Sequence, residues 1–404
     1  SIACHAETSK RPYKYSDQLV KKAESGDVEA QNDLGVCYAE GLGVGQNNAE
    51  AFKWFQKASD QGSDRGKNNL AISYENGEGA DKNQKKAFEL YLEAAQNGYC
   101  QAQINVGFCY QNGTGVDQDH AEAAKWFQKA AEQGSDWGKI NLGVCLENGR
   151  GVEKNPAKAA ELYLEAAKNG NVKAQNNLGL CYSKGLGVNQ DYSEAVKWYK
   201  KAADQGSDWG KNNVGWLYEM GWGVEQDYTE AAQWYKASAD QNNAWAQAKL
   251  GDLYEHGLGV EKDPAKAFEM FHKAAKSGNM YAQNKVGWFY YHGMAPESER
   301  SSDPRRPKYR RKDFEKAFQW ILKSAENGYT EAQISVAYFY WRGDGTEVDL
   351  EKARFWMRKA AEGGDSYAKE ILPWITLDRN MDGIMKKWFS LEKQEKREDP
   401  AEPR

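Results

Sequence analysis

Trp137, Trp209, Trp245 and Tyr281 stand at multiples of 36 residues from one another, and Trp216 and Trp288 stand 72 apart. Large aromatic side chains flanked by polar residues are the usual anchors of protein interfaces, and rows of exposed indoles also stack on sugar rings. A second series, Asn69, Asn105, Asn141, Asn177 and Asn213, recurs every 36 residues. A carboxamide both donates and accepts, so such a row is able to hold the backbone of an extended peptide without reading its sequence. The same row would serve equally as a structural ladder bonded to loops or neighbouring helices. The aromatic series has its own alternative, rings packed on one another along the chain.

Other reactive residues lack the company that catalysis or metal binding needs. His256 and His292 occupy equivalent positions 36 residues apart, with no cysteine or carboxylate cluster in the sequence beside them to complete a metal site. The stretch Asp378 to Gly383 copies the first half of a calcium loop, but Phe389 stands where the bidentate glutamate belongs. The sequence has no nucleophile motif, zinc motif, P-loop or dinucleotide fingerprint, so it predicts no catalytic residue, no metal and no cofactor. A basic run, "RRPKYRRK" at 305–312, is read as a solvated loop or a phosphate-binding or targeting segment. The chain as a whole is acidic, at net −5, which argues against a nucleic-acid partner.

What must position these residues is a repeat. The nonapeptide "QGSDRGKNN" (61–69) returns as "QGSDWGKIN" (133–141) and "QGSDWGKNN" (205–213), and the marker glycines Gly26, Gly62, Gly98, Gly134, Gly170, Gly206 and Gly278 keep a spacing of 36, with Asn242 in the one gap. After Gly278 the next markers are Gly328 and Gly364, so a 14-residue insertion falls between 293 and 314. Each unit carries two apolar stretches at helical spacing, separated by a "G-x-G-V" turn, which predicts helix A, turn, helix B. Counted from the marker, positions 4, 8, 11, 12 and 15 form the buried stripe of helix A, whereas positions 3, 7, 10 and 14 form another face about 120° away. The aromatic and asparagine series lie on that second face.

The pattern A-x-x-x-LG-x-x-Y-x-x-G-x-GV…A-x-x-W-[YF]-x-K-A-A-x-x-G, over about residues 26–370, closely resembles the Sel1-like repeat family, relatives of the tetratricopeptide repeats. The resemblance implies an all-α fold, a right-handed α/α superhelical solenoid of about nine helix-turn-helix repeats with the A helices lining its concave side. It also implies an adaptor that assembles complexes or binds peptides and proteins. One departure stands out: the alanine at position 4 becomes Gly66, Gly138 and Gly210 in alternate repeats, as ancestral duplication of a two-repeat block or a close backbone contact would produce.

Repeats of this kind make one array out of 404 residues that length alone would divide into about three domains. The expected organisation is an N-terminal stretch 1–12 that is disordered or processed, a capping helix at 13–26, a solenoid at 27–372 with the insertion at 294–313, and a C-terminal cap and tail at 373–404. No apolar run approaches the ~18–20 residues of a membrane span. Cys37, Cys109, Cys145 and Cys181 are spaced by multiples of 36 and read as buried free thiols. The opening "SIACHAETSK" fits the end of a secretory or lipoprotein signal as well as an arbitrary start, which leaves an exported or a cytoplasmic location open. The expected function is non-enzymatic binding of a protein or peptide in the concave groove through the aromatic and asparagine series. Recognition of a cell-envelope carbohydrate or peptidoglycan is the alternative.

Overall fold

A computed structural model describes residues 14–296 and 313–374. The 1–12 stretch, most of the insertion, the calcium-loop resemblance at 378–383 and the amphipathic segment 383–396 lie outside the described residues. Among the described residues, twenty α-helices and a short 3₁₀ turn make up the regular structure, and no strand occurs. The chain divides into two compact units, 1–205 and 206–404. In the first, a short helix (Asp17–Glu24) precedes five A/B helix pairs; in the second, four pairs are followed by the short helix Ser366–Ile371. Within each unit every A helix packs on the B helix after it, and every B helix on the next A helix.

The local sequence sets both ends of each element. Ser, Asp or Asn side chains cap most helix starts, as Ser135 does by accepting from the Gly138 N–H at 3.2 Å. Each A helix from repeat 1 to repeat 9 ends on a glycine in the left-handed region, for example Gly149 at φ 69°. The turn is then closed by the N–H of the B-helix cap, which donates to the carbonyl of position 12: Asn47 to Tyr38 at 2.8 Å and Asp119 to Tyr110 at 2.9 Å. The same bond forms from Asp313 to Tyr290 at 3.0 Å, so the repeat resumes its register on the far side of the insertion.

The core lies between the A and B helices. At position 9 a glycine lets a B-helix ring lie on the A-helix backbone. A Cβ at Gly107 would meet the Phe127 ring at 2.5 Å, and one at Gly143 the Tyr163 ring at 2.5 Å. Phe127 and Tyr163 are fully buried, each worth about 1.5–3 kcal/mol by its apolar area. Trp54, Trp126, Trp198 and Trp356 are also buried, and Lys57, Lys129 and Lys201 lie over the first three of these rings at 3.7–3.9 Å. Among the described cysteines Cys37, Cys109, Cys145 and Cys181 are buried, and all five described cysteines are free thiols.

The alternation at position 4 has a packing cause. An added Cβ at Gly66 would lie 2.8 Å from the Ser59 nitrogen, and one at Gly138 would lie 2.5 Å from the Ala131 nitrogen. These glycines admit the end of the preceding B helix against the A-helix backbone, a contact that backbone atoms cannot relax. A close backbone contact is therefore present at Gly66 and Gly138, whatever the history of the duplication.

Candidate functional site

The second face of the A helices is not uniform. In the first unit it is mostly bonded to itself. Arg65 pairs with Glu29 at 3.0 Å and with Asp33 at 2.8 Å, joining repeats 1 and 2. Asn105 donates through Nδ2 to Asn68 Oδ1 at 2.9 Å, one repeat away, and Asn68 in turn reaches Asn69 at 3.5 Å. Asn141 is buried and donates to the Trp137 carbonyl of its own helix at 2.9 Å. Asn177 is half-buried. Trp137 itself is half-buried against the cluster of Ile104, Phe127 and Cys145, with the Lys173 ammonium 5.3 Å above its ring. Its indole Nε1 is enclosed and has no acceptor.

In the second unit the same register opens to solvent. Trp209 and Trp245, at position 3 of consecutive A helices (Asp208–Met220 and Ala244–His256), are 55% and 48% exposed. Asn213 is half-buried and takes a long contact of 3.4 Å from Asn212. At the next two rungs lysines replace the asparagines. Lys249 meets Glu219 at 3.4 Å, while Lys285 meets Glu255 at 2.8 Å and Asp252 at 3.8 Å. Tyr281 donates its hydroxyl to Asp252 at 2.6 Å and lies edge-on to Phe271 and Tyr329, so it is a half-buried strut rather than a free ring. Burial is the main force raising the Asp252 carboxyl above the usual range, against the Lys285 charge and the Tyr281 hydroxyl, which lower it. The Tyr281 hydroxyl is raised by burial and by the Asp252 charge.

Position 10 divides likewise. Trp216 is half-buried and sits edge-on to Trp222, ring centroids 4.9 Å apart, with its Nε1 enclosed and without an acceptor. Trp288 is 36% exposed, and its ring lies 4.3 Å from that of His292. The helical spacing thus finds two open indoles, Trp209 and Trp245, and a half-open one, Trp288. It does not reveal the ion cluster of Glu219, Lys249, Asp252, Glu255 and Lys285, nor the apolar residues Trp222, Leu258 and Met294, which lie one past the C-terminal glycine of their A helices. Aligning that loop position from repeat to repeat would have found them. Among the described residues no group of three or more His, Cys, Asp or Glu is placed to hold a metal, and no helix is long and apolar enough to cross a membrane.

The family model described as Sel1 repeat matches ten times, at residues 28–63, 65–99, 100–135, 139–171, 172–207, 210–243, 246–279, 281–305, 308–329 and 330–365. The chain belongs to the Sel1 repeat family. The ten matches cover nine helix pairs, because 281–305 and 308–329 are the two halves of the pair that the insertion divides. Among solved structures, this Sel1 chain is 36% identical to c5321, a protective antigen present in uropathogenic Escherichia coli strains and displaying an SLR fold, over 89% of this chain and 81% of that one, with a TM-score of 0.60. It is 29% identical to a Sel1 repeat protein from Oxalobacter formigenes, over 89% of both chains, with a TM-score of 0.57. No curated protein matches. The Sel1 solenoid is typically a protein-interaction scaffold.

Proposed function

We propose that this Sel1 solenoid is a non-enzymatic adaptor that binds a protein or peptide along the A-helix face, anchored in its second unit by Trp209 and Trp245. The observation that carries this reading is the exposure of those two indoles at one register of adjacent helices. The equivalent residues of the first unit are polar or, at Trp137, half-buried. An indole is a costly surface residue unless a partner covers it, and buried Trp is among the strongest sources of interface energy. Trp288 extends the same face, and Trp137, Trp216, Tyr281 and the asparagines act mainly by fixing its shape. Asn69, Asn177 and Asn213 are half-buried and can take part in backbone bonding, whereas Asn105 donates to Asn68 and Asn141 to its own helix.

The competing occupant is a glycan, since exposed tryptophans also stack on sugars. Titrating the protein with glycans and muropeptides while following Trp fluorescence separates the two. The adaptor reading expects no saturable quenching, and saturable quenching lost in the Trp209→Ala/Trp245→Ala variant would assign the face to carbohydrate.

A further inference from the structure

The residue after the C-terminal glycine of each A helix forms a row of its own. In the first unit it is Leu42, Glu78, Thr114, Arg150 and Leu186; in the second, three consecutive repeats hold Trp222, Leu258 and Met294. Leu258 and Met294 are 38% and 39% exposed. Trp222 is braced edge-on by Trp216, and in repeat 8 the equivalents of that pair are Trp288 and Met294. Backbone packing keeps neighbouring turns together. Gly259, at φ 66°, rests on Tyr228, where an added Cβ would fall 2.1 Å from the carbonyl carbon. The loop carrying Leu258 therefore sits at the foot of the loop carrying Trp222.

The edge is apolar along its length and acidic at its rim. Glu225 and Glu261 are exposed. Behind them, Glu219 and Glu255 are met by Lys249 and Lys285, and Asp252 accepts from Tyr281. The carboxylates Glu219, Glu225, Asp252, Glu255 and Glu261 outnumber the ammonium groups of Lys249, Lys262 and Lys285. The N-cap carboxylate Asp227 adds to the same sign, whereas Asp263 is met by Lys266 at 3.3 Å.

We propose that this loop edge is a second docking line, separate from the face of Trp209 and Trp245. Its occupant is a segment of a partner protein that presents apolar side chains between lysines or arginines. Apolar groups would cover Leu258 and Met294, while the cations meet the acidic rim and lay their aliphatic stems on the Trp222 indole. The sign of the rim steers cationic segments to this edge and repels anionic surfaces, which favours a basic peptide over an anionic bilayer.

The test uses the full chain and a fluorescein-labelled amphipathic peptide of leucine and lysine, about 14 residues long, beside a counterpart with glutamate for every lysine. The lysine peptide is expected to bind saturably and to weaken as salt rises from about 50 to about 500 mM. Leu258→Asn with Met294→Asn should weaken it about tenfold or more, as should Glu225→Lys with Glu261→Lys, both exposed at the surface. Trp209→Ala with Trp245→Ala should leave this binding unchanged, which distinguishes it from the adaptor face. Equal binding of the glutamate peptide, no effect of the Glu225/Glu261 reversal, or loss only in the Trp209/Trp245 variant would each overturn the proposal. Tighter binding to neutral phosphatidylcholine vesicles than to the lysine peptide would overturn it in favour of a lipid surface.

Discussion

The Asn169 amide donates to the Asp136 carboxylate at 2.8 Å, tying the end of repeat 4 to its beginning. Repeat 2 is closed in the same way by Asn97 and Asp64 at 2.7 Å. Repeats 1, 3 and 5 use another clasp, in which Gln61, Gln133 and Gln205 donate to Gln31, Gln103 and Gln175 at 2.7, 2.8 and 2.8 Å. Repeats 2 and 4 add Lys67 to Glu93 and Lys139 to Glu165, each at 2.9 Å, and the hydroxyls of Tyr91 and Tyr163 donate to Glu75 and Glu147. The recurring nonapeptide is thus a set of fittings. In all three copies its Gln closes the previous repeat and its Ser caps the helix, and in the first two its Asp and Lys pair within the new repeat and its Gly admits the neighbouring backbone. The residue between Asp and Gly has none of these fixed duties.

The glycine fitting predicts the cost of a methyl group. Gly138→Ala gains up to ~1 kcal/mol in helix propensity, yet places Cβ 2.5 Å from the Ala131 nitrogen, an overpacking that costs about 1–3 kcal/mol. The expected net result is a loss of stability, read as a lower urea midpoint with an unchanged slope. A higher midpoint would show that the A helix moves away freely.

Asp252 gives a pH dependence. Its folded pKa is raised mainly by burial, so the stability tied to its protonated form is complete below the ordinary carboxylate value of about 3.9 and is lost as pH rises through the folded value. Asp252→Asn keeps an acceptor for the Tyr281 hydroxyl and removes the buried charge. Relative to the wild type, the variant should therefore gain in Tm from about pH 4 to about pH 8. A wild type that gains on the variant over that range would mean that Lys285 outweighs burial.

Burial pushes the Cys109 and Cys181 thiols up to about 12 and raises those of Cys37 and Cys145. The thiolate is the nucleophile, so native protein at about pH 8 should alkylate at these four positions only as fast as it unfolds. Mass mapping after iodoacetamide should find them unmodified under native conditions and modified in urea. Rapid native labelling of Cys109 would contradict the packing described above.

The helices, their order and their register were legible in the sequence because a 36-residue period multiplies every weak signal, and Gly, Ala and Tyr recur wherever backbone approach or turn closure requires them. The alternation of Gly66 and Gly138 with Ala30 and Ala102 was visible, and a close backbone contact was one of its two readings, but the choice between contact and duplication was not, since it depends on distance to a helix some seven residues earlier in the chain. The candidate face was legible as a set of positions but not as exposure. Trp137 and Trp209 occupy the same register, yet one is half-buried under Lys173 and the other stands open. Whether an indole at that register is covered depends on its neighbours in adjoining repeats, which a single repeat does not reveal.

Affinity capture from native cell extract, comparing the wild type with Trp209→Ala/Trp245→Ala, tests the central claim most directly. The account predicts that a partner retained by the wild type is lost from the double variant while helical circular dichroism and Tm stay nearly unchanged, because both indoles are about half exposed. Equal retention by a variant that still folds, or a collapse in its Tm, would contradict it.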